Sequence, residues 1–128
     1  MGKRKLEHEP LNRNCPIRDV LDRLGDRWTV LILMTLGDQT LRFSELRRQI
    51  VDISPRMLAQ TLRHLEQDGL VLREVYPTVP PRVEYSISGL GHSFYEHLQP
   101  MVQWADKHHD DVRQARASYI AQPAYQAL

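Results

Sequence analysis

Residues 42–69, RFSELRRQIVDISPRMLAQTLRHLEQDG, decide the fold because they predict two capped helices joined by a short turn. Ser44 is suited to cap a helix over residues 45–50, since serine hydroxyls accept hydrogen bonds from the unpaired N–H groups at helix starts. Four residues after the end of that helix at Ile50, Ser54 is suited to cap a longer helix, and Pro55 fits its first position. The inward stripe of this longer helix comprises Leu58, Thr61, Leu62 and Leu65. The pair predicts a helix-turn-helix.

Two more helices are predicted before this pair. A first helix begins at Pro16 and ends at Gly25, and Asp26 is suited to cap a second helix, which ends at Gly37. The regularly spaced apolar residues are Ile17, Val20, Leu21 and Leu24 in the first helix and Trp28, Leu31, Ile32 and Leu36 in the second. Other apolar residues occupy the remaining sides of the second helix, so we expect it to be central and buried nearly all round.

The residues after this pair of helices have a composition typical of β-strands. Residues 70–76 (LVLREVY) and 82–87 (RVEYSI) predict a hairpin, and the proline-rich stretch between them predicts its loop. A long helix follows Ser88 and keeps its spacing through His108, and we expect Pro100 to kink or split it. The order of elements predicts a mainly α (α+β) fold: a winged helix-turn-helix with a two-stranded wing and terminal helices on both sides.

The predicted helix after Ser54 presents a polar face opposite its leucines. Arg56, Gln60, Arg63 and Gln67 lie on that face, flanked by Met57, Ala59 and His64. Arginine and glutamine match the donors and acceptors of guanine and adenine in the major groove, and residues near a recognition helix's N-terminus usually contact bases. We therefore expect Arg56, Met57 and Gln60 to contact bases and Arg63 and His64 to contact phosphates. The alternative is an ordinary solvated helix face.

Arginines outside this helix complete the candidate DNA surface. The loop Pro80-Pro81-Arg82 is stiff and ends in a cation, which suits insertion into a narrow minor groove. The alternative is an exposed turn arginine without a ligand. The whole candidate set comprises Arg42, Arg47, Ser54, Pro55, Arg56, Met57, Gln60, Arg63, His64 and Arg82.

Composition limits the other function classes. The chain has 128 residues, a formal net charge of +1 and one cysteine, which indicates one domain without a disulfide framework. Its longest strongly apolar run, residues 29–36, is too short to span a bilayer, and its basic N-terminus lacks an apolar segment, so we expect a cytoplasmic protein. Residues 42–82 carry seven arginines and five acidic residues. No glycine-rich phosphate loop, nucleophile elbow or paired carboxylates is present, so neither an enzyme nor a cofactor is expected.

The sequence also resembles a known family. Cys15-Pro16-Ile17 followed by LGDRW at residues 24–28 looks like the opening signature of the HxlR family of bacterial winged-helix regulators. The segments RFSELRR, ISPRMLAQTLRHLEQDGLVLRE and PPRVEYSISGLG resemble that family's helix-turn-helix and wing. The resemblance covers about residues 15–104 and implies a homodimer, formed by the first and last helices, that binds operator DNA as a repressor or activator. We expect an N-terminal arm over residues 1–14, one domain over residues 15–116 and a tail over residues 117–128.

Cys15 is a candidate redox sensor, because helix N-termini and nearby cations stabilise a thiolate. Several members of the resembled family use the cysteine at this position to sense oxidants or electrophiles. With no second cysteine in the chain, a bridge between two copies of Cys15 or a small-thiol adduct is the available chemistry. The alternative is a buried cysteine acting as a small apolar residue.

Two other functions stay open at this level. A winged-helix module could bind proteins and have lost DNA binding, or a small-molecule effector could control DNA binding from a site near the dimer interface. The stretch His108-His109-Asp110-Asp111 is a weak metal candidate, because adjacent side chains diverge on a helix. We therefore expect double-stranded DNA and a second copy of the chain as partners, an oxidant or small molecule as effector, and no metal or membrane.

Overall fold

The computed structural model describes residues 15–121, which form two compact units, one ending at Tyr95 and the other beginning at Glu96. Within the described residues the helices and strands follow the predicted order, with one additional short strand. They are α1 (Pro16–Leu24), α2 (Arg27–Leu36), β1 (Leu41–Arg42), α3 (Phe43–Gln49), α4 (Pro55–Gln67), β2 (Val71–Tyr76), β3 (Arg82–Ile87) and α5 (Gly89–Ala121). The mainly helical winged helix-turn-helix fold is confirmed. The predicted N-terminal arm lies outside the described residues.

The core of the first unit is built from apolar side chains of the helices and the sheet. Its fully buried members are Ile32, Leu33 and Leu36 of α2, Leu46 of α3, Leu58, Leu62 and Leu65 of α4, and Val71 of β2. The inward stripe predicted for α4 is confirmed, including Thr61, whose hydroxyl donates to the Met57 carbonyl at 2.8 Å. This bond satisfies the one polar group on the stripe.

The first two helices are less buried than their spacing predicts. On α2 the buried face is Thr29, Ile32, Leu33 and Leu36, while Leu31 is 42% exposed. The expectation that α2 is buried nearly all round is therefore wrong, because the core covers only one side of it. Of the four regularly spaced apolar residues of α1, Leu24 alone is buried, and Ile17, Val20 and Leu21 are 45%, 44% and 58% exposed.

Helix α3 begins two residues earlier than predicted. Arg42 occupies its cap position, and the Arg42 N–H donates to the Glu45 carboxylate at 2.8 Å. Ser44 lies inside the first turn, so the prediction that Ser44 caps this helix is wrong. The short strand β1 immediately before the helix explains the shift, because pairing of Leu41 with Tyr85 holds the preceding backbone in an extended conformation.

The turn between α3 and α4 is anchored by two buried isoleucines, Ile50 and Ile53. Between them Asp52 has φ 78°, a left-handed conformation that aspartate tolerates better than most residues. Ser54 then caps α4 as predicted, because the Met57 N–H donates to the Ser54 hydroxyl at 3.1 Å and Pro55 follows at the first helical position. The turn therefore fixes where α4 begins.

The sheet has three antiparallel strands in the order β1-β3-β2. The register of the wing pairs Val71 with Ile87 and Tyr76 with Arg82, at the two ends of the hairpin. The predicted two-stranded wing is present, and β1 adds a third strand that joins it to the start of α3.

A compact hydrogen-bonded junction connects the end of α4 to the base of the wing. The Ser88 hydroxyl donates to the Gly69 carbonyl at 2.6 Å and accepts from the Gly91 N–H at 2.9 Å. The Ser88 N–H donates to the Leu70 carbonyl at 3.0 Å, and the Leu70 N–H donates to the Leu65 carbonyl at 2.9 Å. The end of α4, both wing strands and the first turn of α5 are therefore tied together through one serine.

Helix α5 runs without interruption from Gly89 to Ala121 and contains Pro100. Of the kink or split expected at Pro100, the split is therefore wrong, because the helix continues through the proline. The loss of one backbone donor does not end a helix that gains a hydrogen bond at each following residue. In the second unit Met101 and Trp104 are exposed, and His108 Nδ1 lies 3.5 Å from the Asp111 carboxylate.

Candidate nucleic-acid interface

The exposed face of α4 is the centre of the candidate interface. Arg56, Gln60, Arg63 and Gln67 are exposed on the side opposite the buried leucines, as the sequence predicts. The first turn contains no acidic residue, so cationic and amide groups stand at the end of the helix that carries partial positive charge. This face has the donors needed for base edges and phosphates.

One flank of α4 is turned toward acidic residues. Met57, Gln60 and His64 line an open cleft of about 290 Å³ together with Asp22 and Asp26. Carboxylates repel phosphate, so this cleft is a poorer phosphate site than the free face that Arg63 occupies. The structure thus separates two residues that were expected to act together: Arg63 is exposed away from the cleft, whereas His64 lies half-buried on it.

Helix α3 adds a pair of cations beside α4. Arg47 and Arg48 are exposed and line a shallow groove with Ser44 and Asp52. Arg47 was among the predicted residues, and Arg48 was not. Its signal was its position next to Arg47 in the last turn of α3, where a helix in front of a recognition helix crosses the DNA backbone.

Arg82, the arginine of the wing, contacts side chains of its own sheet. Arg82 lies at the base of the loop, as the first residue of β3, and Val79 at the loop tip is 99% exposed. Arg82 Nε is 3.1 Å from a Glu84 carboxylate oxygen, and its guanidinium lies over the Tyr76 ring at 4.5 Å from the centroid. The Nε atom is buried, and its N–H is not aligned with any hydrogen-bond acceptor. Arg82 is thus held by an ion pair and a cation–π contact.

Acidic neighbours also affect Tyr76. Glu74 raises the pKa of the Tyr76 phenol above its ordinary value of 10.0, chiefly by charge repulsion of the phenolate, and partial burial and Glu84 add to the effect. The Arg82 cation acts in the opposite direction. The ring under Arg82 is therefore a neutral phenol at physiological pH.

The structure brings Arg42 and Arg82 to one groove. An open cleft of about 550 Å³ lies between the start of α3 and the wing, and its lining includes Arg42, Ser44, Val79 and Arg82. The Thr78 hydroxyl donates a hydrogen bond to the Pro80 carbonyl at 2.7 Å and so braces the loop. Sequence reasoning missed Val79, although an apolar residue between prolines at a loop tip was a usable signal.

Cys15 is fully buried at the cap position of α1. This burial favours the interpretation as a small apolar residue over that of an exposed thiolate. Among residues 15–121, no three side chains of the metal-binding types come together at one point. No helix in the described part of the chain is long and apolar enough to cross a membrane.

The order of elements, the three-stranded sheet and the exposed face of α4 define a winged helix-turn-helix protein. The chain belongs to the family of HxlR-like helix-turn-helix proteins, whose model matches residues 23–113. The resemblance seen in the sequence is therefore confirmed.

Relatives in this family are named as transcriptional regulators. The HTH-type transcriptional regulator YtfH of Escherichia coli is 46% identical over 102 residues, covering 80% of this chain and 81% of YtfH. The structure of the transcriptional regulator ytfH from Salmonella typhimurium matches with a TM-score of 0.76 and 42% identity, covering 85% of this chain and 97% of that one. The reduced form of the redox regulator HypR matches with a TM-score of 0.73 and 37% identity, covering 77% of this chain and 98% of HypR. The family is thus one of transcription regulators.

Proposed function

We propose that this protein is a sequence-specific regulator that binds operator DNA as a homodimer, with α4 in the major groove. The observation that carries the proposal is the face of α4 formed by Arg56, Gln60 and Arg63, which is exposed and opposite the core. The Ser54 cap and the isoleucine-anchored turn support a fixed direction for this helix. A dimer would place its two recognition helices about 34 Å apart, one turn of DNA.

The roles of individual arginines follow from their positions. Arg56 lies in the first turn of α4, where recognition helices contact base edges, and a bidentate arginine–guanine contact discriminates by about 1–3 kcal/mol. Arg47 and Arg48 lie on the preceding helix, so we assign them to phosphate contacts. Loss of Arg56 should therefore relax specificity, while loss of Arg47 should weaken binding to all sequences.

The test is fluorescence-anisotropy titration with DNA from upstream of the protein's own gene and with random duplex. Arg56→Ala should lose about 10- to 100-fold on the operator and little on random DNA. Arg47→Ala should lose a similar factor on both and reduce the salt slope by about 1. Arg113→Ala, an exposed arginine on the second unit, is the matched control. Equal losses on both DNAs for Arg56→Ala would refute base reading, and a binding signal insensitive to salt would favour a protein-interaction module.

The homodimer rests on exposed apolar residues of α1. Ile17, Val20 and Leu21 are about half exposed in the single chain, and contiguous apolar surface of this kind marks interaction sites. A second copy covering this face would bury it. Leu21→Glu should shift the mass in solution from twice 15.0 kDa toward 15.0 kDa and should lower operator affinity. Leu72→Glu, an equally exposed leucine on β2, should leave the mass unchanged. A wild-type chain that sedimented as a monomer at micromolar concentration would refute this part.

We further propose a thiol response through Cys15. The supporting observation is the similarity to HypR, solved as a redox regulator in both reduced and oxidised forms. Two Cys15 thiols of a dimer would lose two electrons and two protons to the oxidant, and one S–S bond would form between them. Because the thiol is buried, the oxidant reaches it only after the start of α1 opens, so the reaction should be slow.

This part is tested with diamide, an oxidant of thiols. Treated wild-type protein should change its operator affinity and show a dimer on a non-reducing gel, and Cys15→Ser should do neither. Identical operator binding by reduced and treated wild-type protein would reject Cys15 as a sensor and leave the DNA-binding proposal intact.

Small-molecule control is an alternative favoured by one feature. A partly enclosed cleft of about 400 Å³ in the first unit has a size suited to a small effector. Its lining combines apolar side chains (Val20, Leu24, Leu70, Leu90 and Phe94) with Asp19, Asp68 and Ser93, which suits a largely apolar compound that carries a polar or cationic group. A compound bound there would raise the melting temperature and change operator affinity together. Leu24→Trp, which fills the cleft, should abolish both effects.

A further inference from the structure

The outward face of the wing carries a row of charges that crosses all three strands. The register pairs Arg42 of β1 with Glu84 of β3, and Glu84 with Glu74 of β2, so the three side chains lie on the same face of the sheet. Arg82 and Tyr76, two residues further along their strands, also lie on this face. The face that a winged helix would bring to DNA thus includes two directly opposed carboxylates.

Opposed like charges are unfavourable in a sheet, and this pair has neighbours that offset the repulsion. Arg82 forms the 3.1 Å ion pair with Glu84, and Glu74 lies next to Tyr76 on the same face of β2, where its charge raises the pKa of the Tyr76 phenol. Arg82 also lies over the Tyr76 ring, so the four side chains form one connected cluster. We call the cluster of Glu74, Tyr76, Arg82 and Glu84 the wing clamp.

The wing clamp has a consequence for DNA binding. Arg82 Nε is buried beside Glu84, and the guanidinium also lies over the Tyr76 ring, while 37% of the side chain stays exposed. A phosphate that approaches Arg82 must compete with Glu84 for the cation and also meets the charge of Glu74. With Arg42, which faces Glu84 from β1, the row holds two carboxylates and two arginines, so the charges cancel and the wing offers little net attraction to a phosphate backbone.

We propose that Glu84, supported by Glu74, is a specificity-determining residue that competes with DNA phosphate for Arg82 and suppresses binding to non-operator DNA. This inference rests on the proposed function, since it concerns the same DNA surface. On random DNA the clamp stays closed and the wing contributes little. On an operator, contacts made by α4 hold the duplex in register, and Arg82 exchanges Glu84 for the DNA.

Glu84→Gln tests the inference, because glutamine keeps the shape and an acceptor oxygen and removes the charge. Affinity for random duplex should rise roughly fivefold at low salt, about the value of one unit charge at contact distance in water. The salt slope should become steeper by about 1, as for one more neutralised phosphate. Operator affinity should rise less, so the specificity ratio falls. Glu74→Gln should act in the same direction.

Two controls separate the clamp from a general charge effect. Glu96→Gln removes an exposed carboxylate from the second unit and should leave the affinity for random DNA unchanged. In an Arg82→Ala background the gain from Glu84→Gln should disappear, because the two residues act through one contact. If Glu84→Gln raised the affinity for random DNA by the same factor in that background, the effect would come from the change in net charge alone, and the inference would be overturned.

The outcome is distinguishable from a failure of the proposed function. If the wild-type chain binds an operator and Glu84→Gln loses affinity for both DNAs, Glu84 positions Arg82 and does not compete for it. If the wild-type chain binds no DNA, the proposed function fails, and elution from heparin resin still measures attraction of the wing to a polyanion. Glu84→Gln should then elute at higher salt than Glu96→Gln, and equal elution would overturn the clamp. Thermal melts check that each variant is folded.

Discussion

Gly91 offers the sharpest test of the junction that holds the wing. A Cβ added at this position would overlap the Leu70 carbonyl oxygen and lie 2.6 Å from Ile87 Cγ2. Carbon atoms in proteins pack at about 3.5–4.0 Å, so Gly91→Ala requires a shift of roughly 1 Å in the first turn of α5 or in the strand ends beneath it. The Leu70 carbonyl that must move also accepts the Ser88 N–H, so the shift weakens that bond as well.

The magnitude follows from these contacts. Forcing one extra methyl group into a packed site costs about 1–3 kcal/mol, and a weakened backbone hydrogen bond adds up to about 1 kcal/mol. The higher helix propensity of alanine returns about 1 kcal/mol. We therefore expect a net loss of about 1–3 kcal/mol, which for a chain of this length lowers the melting temperature by roughly 3–6 °C per kcal/mol.

The assay is thermal unfolding by circular dichroism at one fixed protein concentration, because the proposed dimer would make the melting temperature depend on concentration. Gly89→Ala is the matched control: it lies two residues earlier in the same helix, and a Cβ there meets no atom within 4 Å. This control should melt at or slightly above the wild-type temperature. A Gly91→Ala protein that melts within about 1 °C of wild type would show that the close approach to Leu70 is not a real constraint.

Three other predictions follow from single contacts. Ser54→Ala should lose about 1 kcal/mol because the Met57 N–H loses its acceptor, whereas Ser54→Asp should keep thermal stability and bind DNA more weakly through its added charge. Asp52→Val should lose about 1–2 kcal/mol in urea unfolding because φ is 78°, and Asp52→Gly should match or exceed wild type. The pKa of Tyr76 lies above 10.0, so the folded state holds this proton more tightly than the unfolded state and stability should fall as pH rises past 10.0. The pKa of Tyr76 is read from phenolate absorbance as the difference between wild type and Tyr76→Phe. The same measurement in Glu74→Gln should give a lower pKa than in wild type, and an unchanged pKa would contradict the role of Glu74.

Local signals in the sequence predicted much of the fold. The Ser54-Pro55 start of α4 and the inward leucines could be read directly, because a cap and a helical period depend on residues within a few positions of one another. The ends of the wing strands were equally accessible, since prolines between two β-branched runs leave few alternatives. In each case the interaction that decides the structure is encoded by neighbouring residues.

The misplaced features depend on distant residues. The cap of α3 is Arg42 and not Ser44, because β1 pairs with a strand more than forty residues away. The exposed side of α1 could not be distinguished from a core side, because a regular apolar stripe has the same spacing whether its own core or a second copy covers it. Pro100 does not split α5, because the many hydrogen bonds of a long helix outweigh the one backbone donor that proline lacks.

The candidate site shows the same difference between features set by neighbouring residues and features set by distant ones. The outward face of α4 follows from the helix period, so the exposure of Arg56, Gln60 and Arg63 opposite the core could be predicted from the sequence. The state of Arg82 could not, since it depends on the register of β2 with β3 and on which side chains this register places opposite each other. A cation in a sequence counts as one positive charge, whereas in the sheet its effect on a phosphate depends on the carboxylates beside it.

This difference between α4 and the wing indicates how the protein would divide affinity from specificity. The exposed face of α4 has no acidic residue in its first turn, so under the proposed function its attraction to DNA would not depend on displacing a carboxylate. The wing holds its arginine against Glu84, so its contribution depends on an exchange of partners that only a well-registered duplex can drive. The junction at Ser88 ties the wing to the end of α4, so the direction of α4 in the groove sets the position of the wing. Gly91→Ala should therefore reduce operator affinity more than random-DNA affinity, even at temperatures where the variant remains folded. A parallel loss on both DNAs would mean that the wing does not discriminate between them.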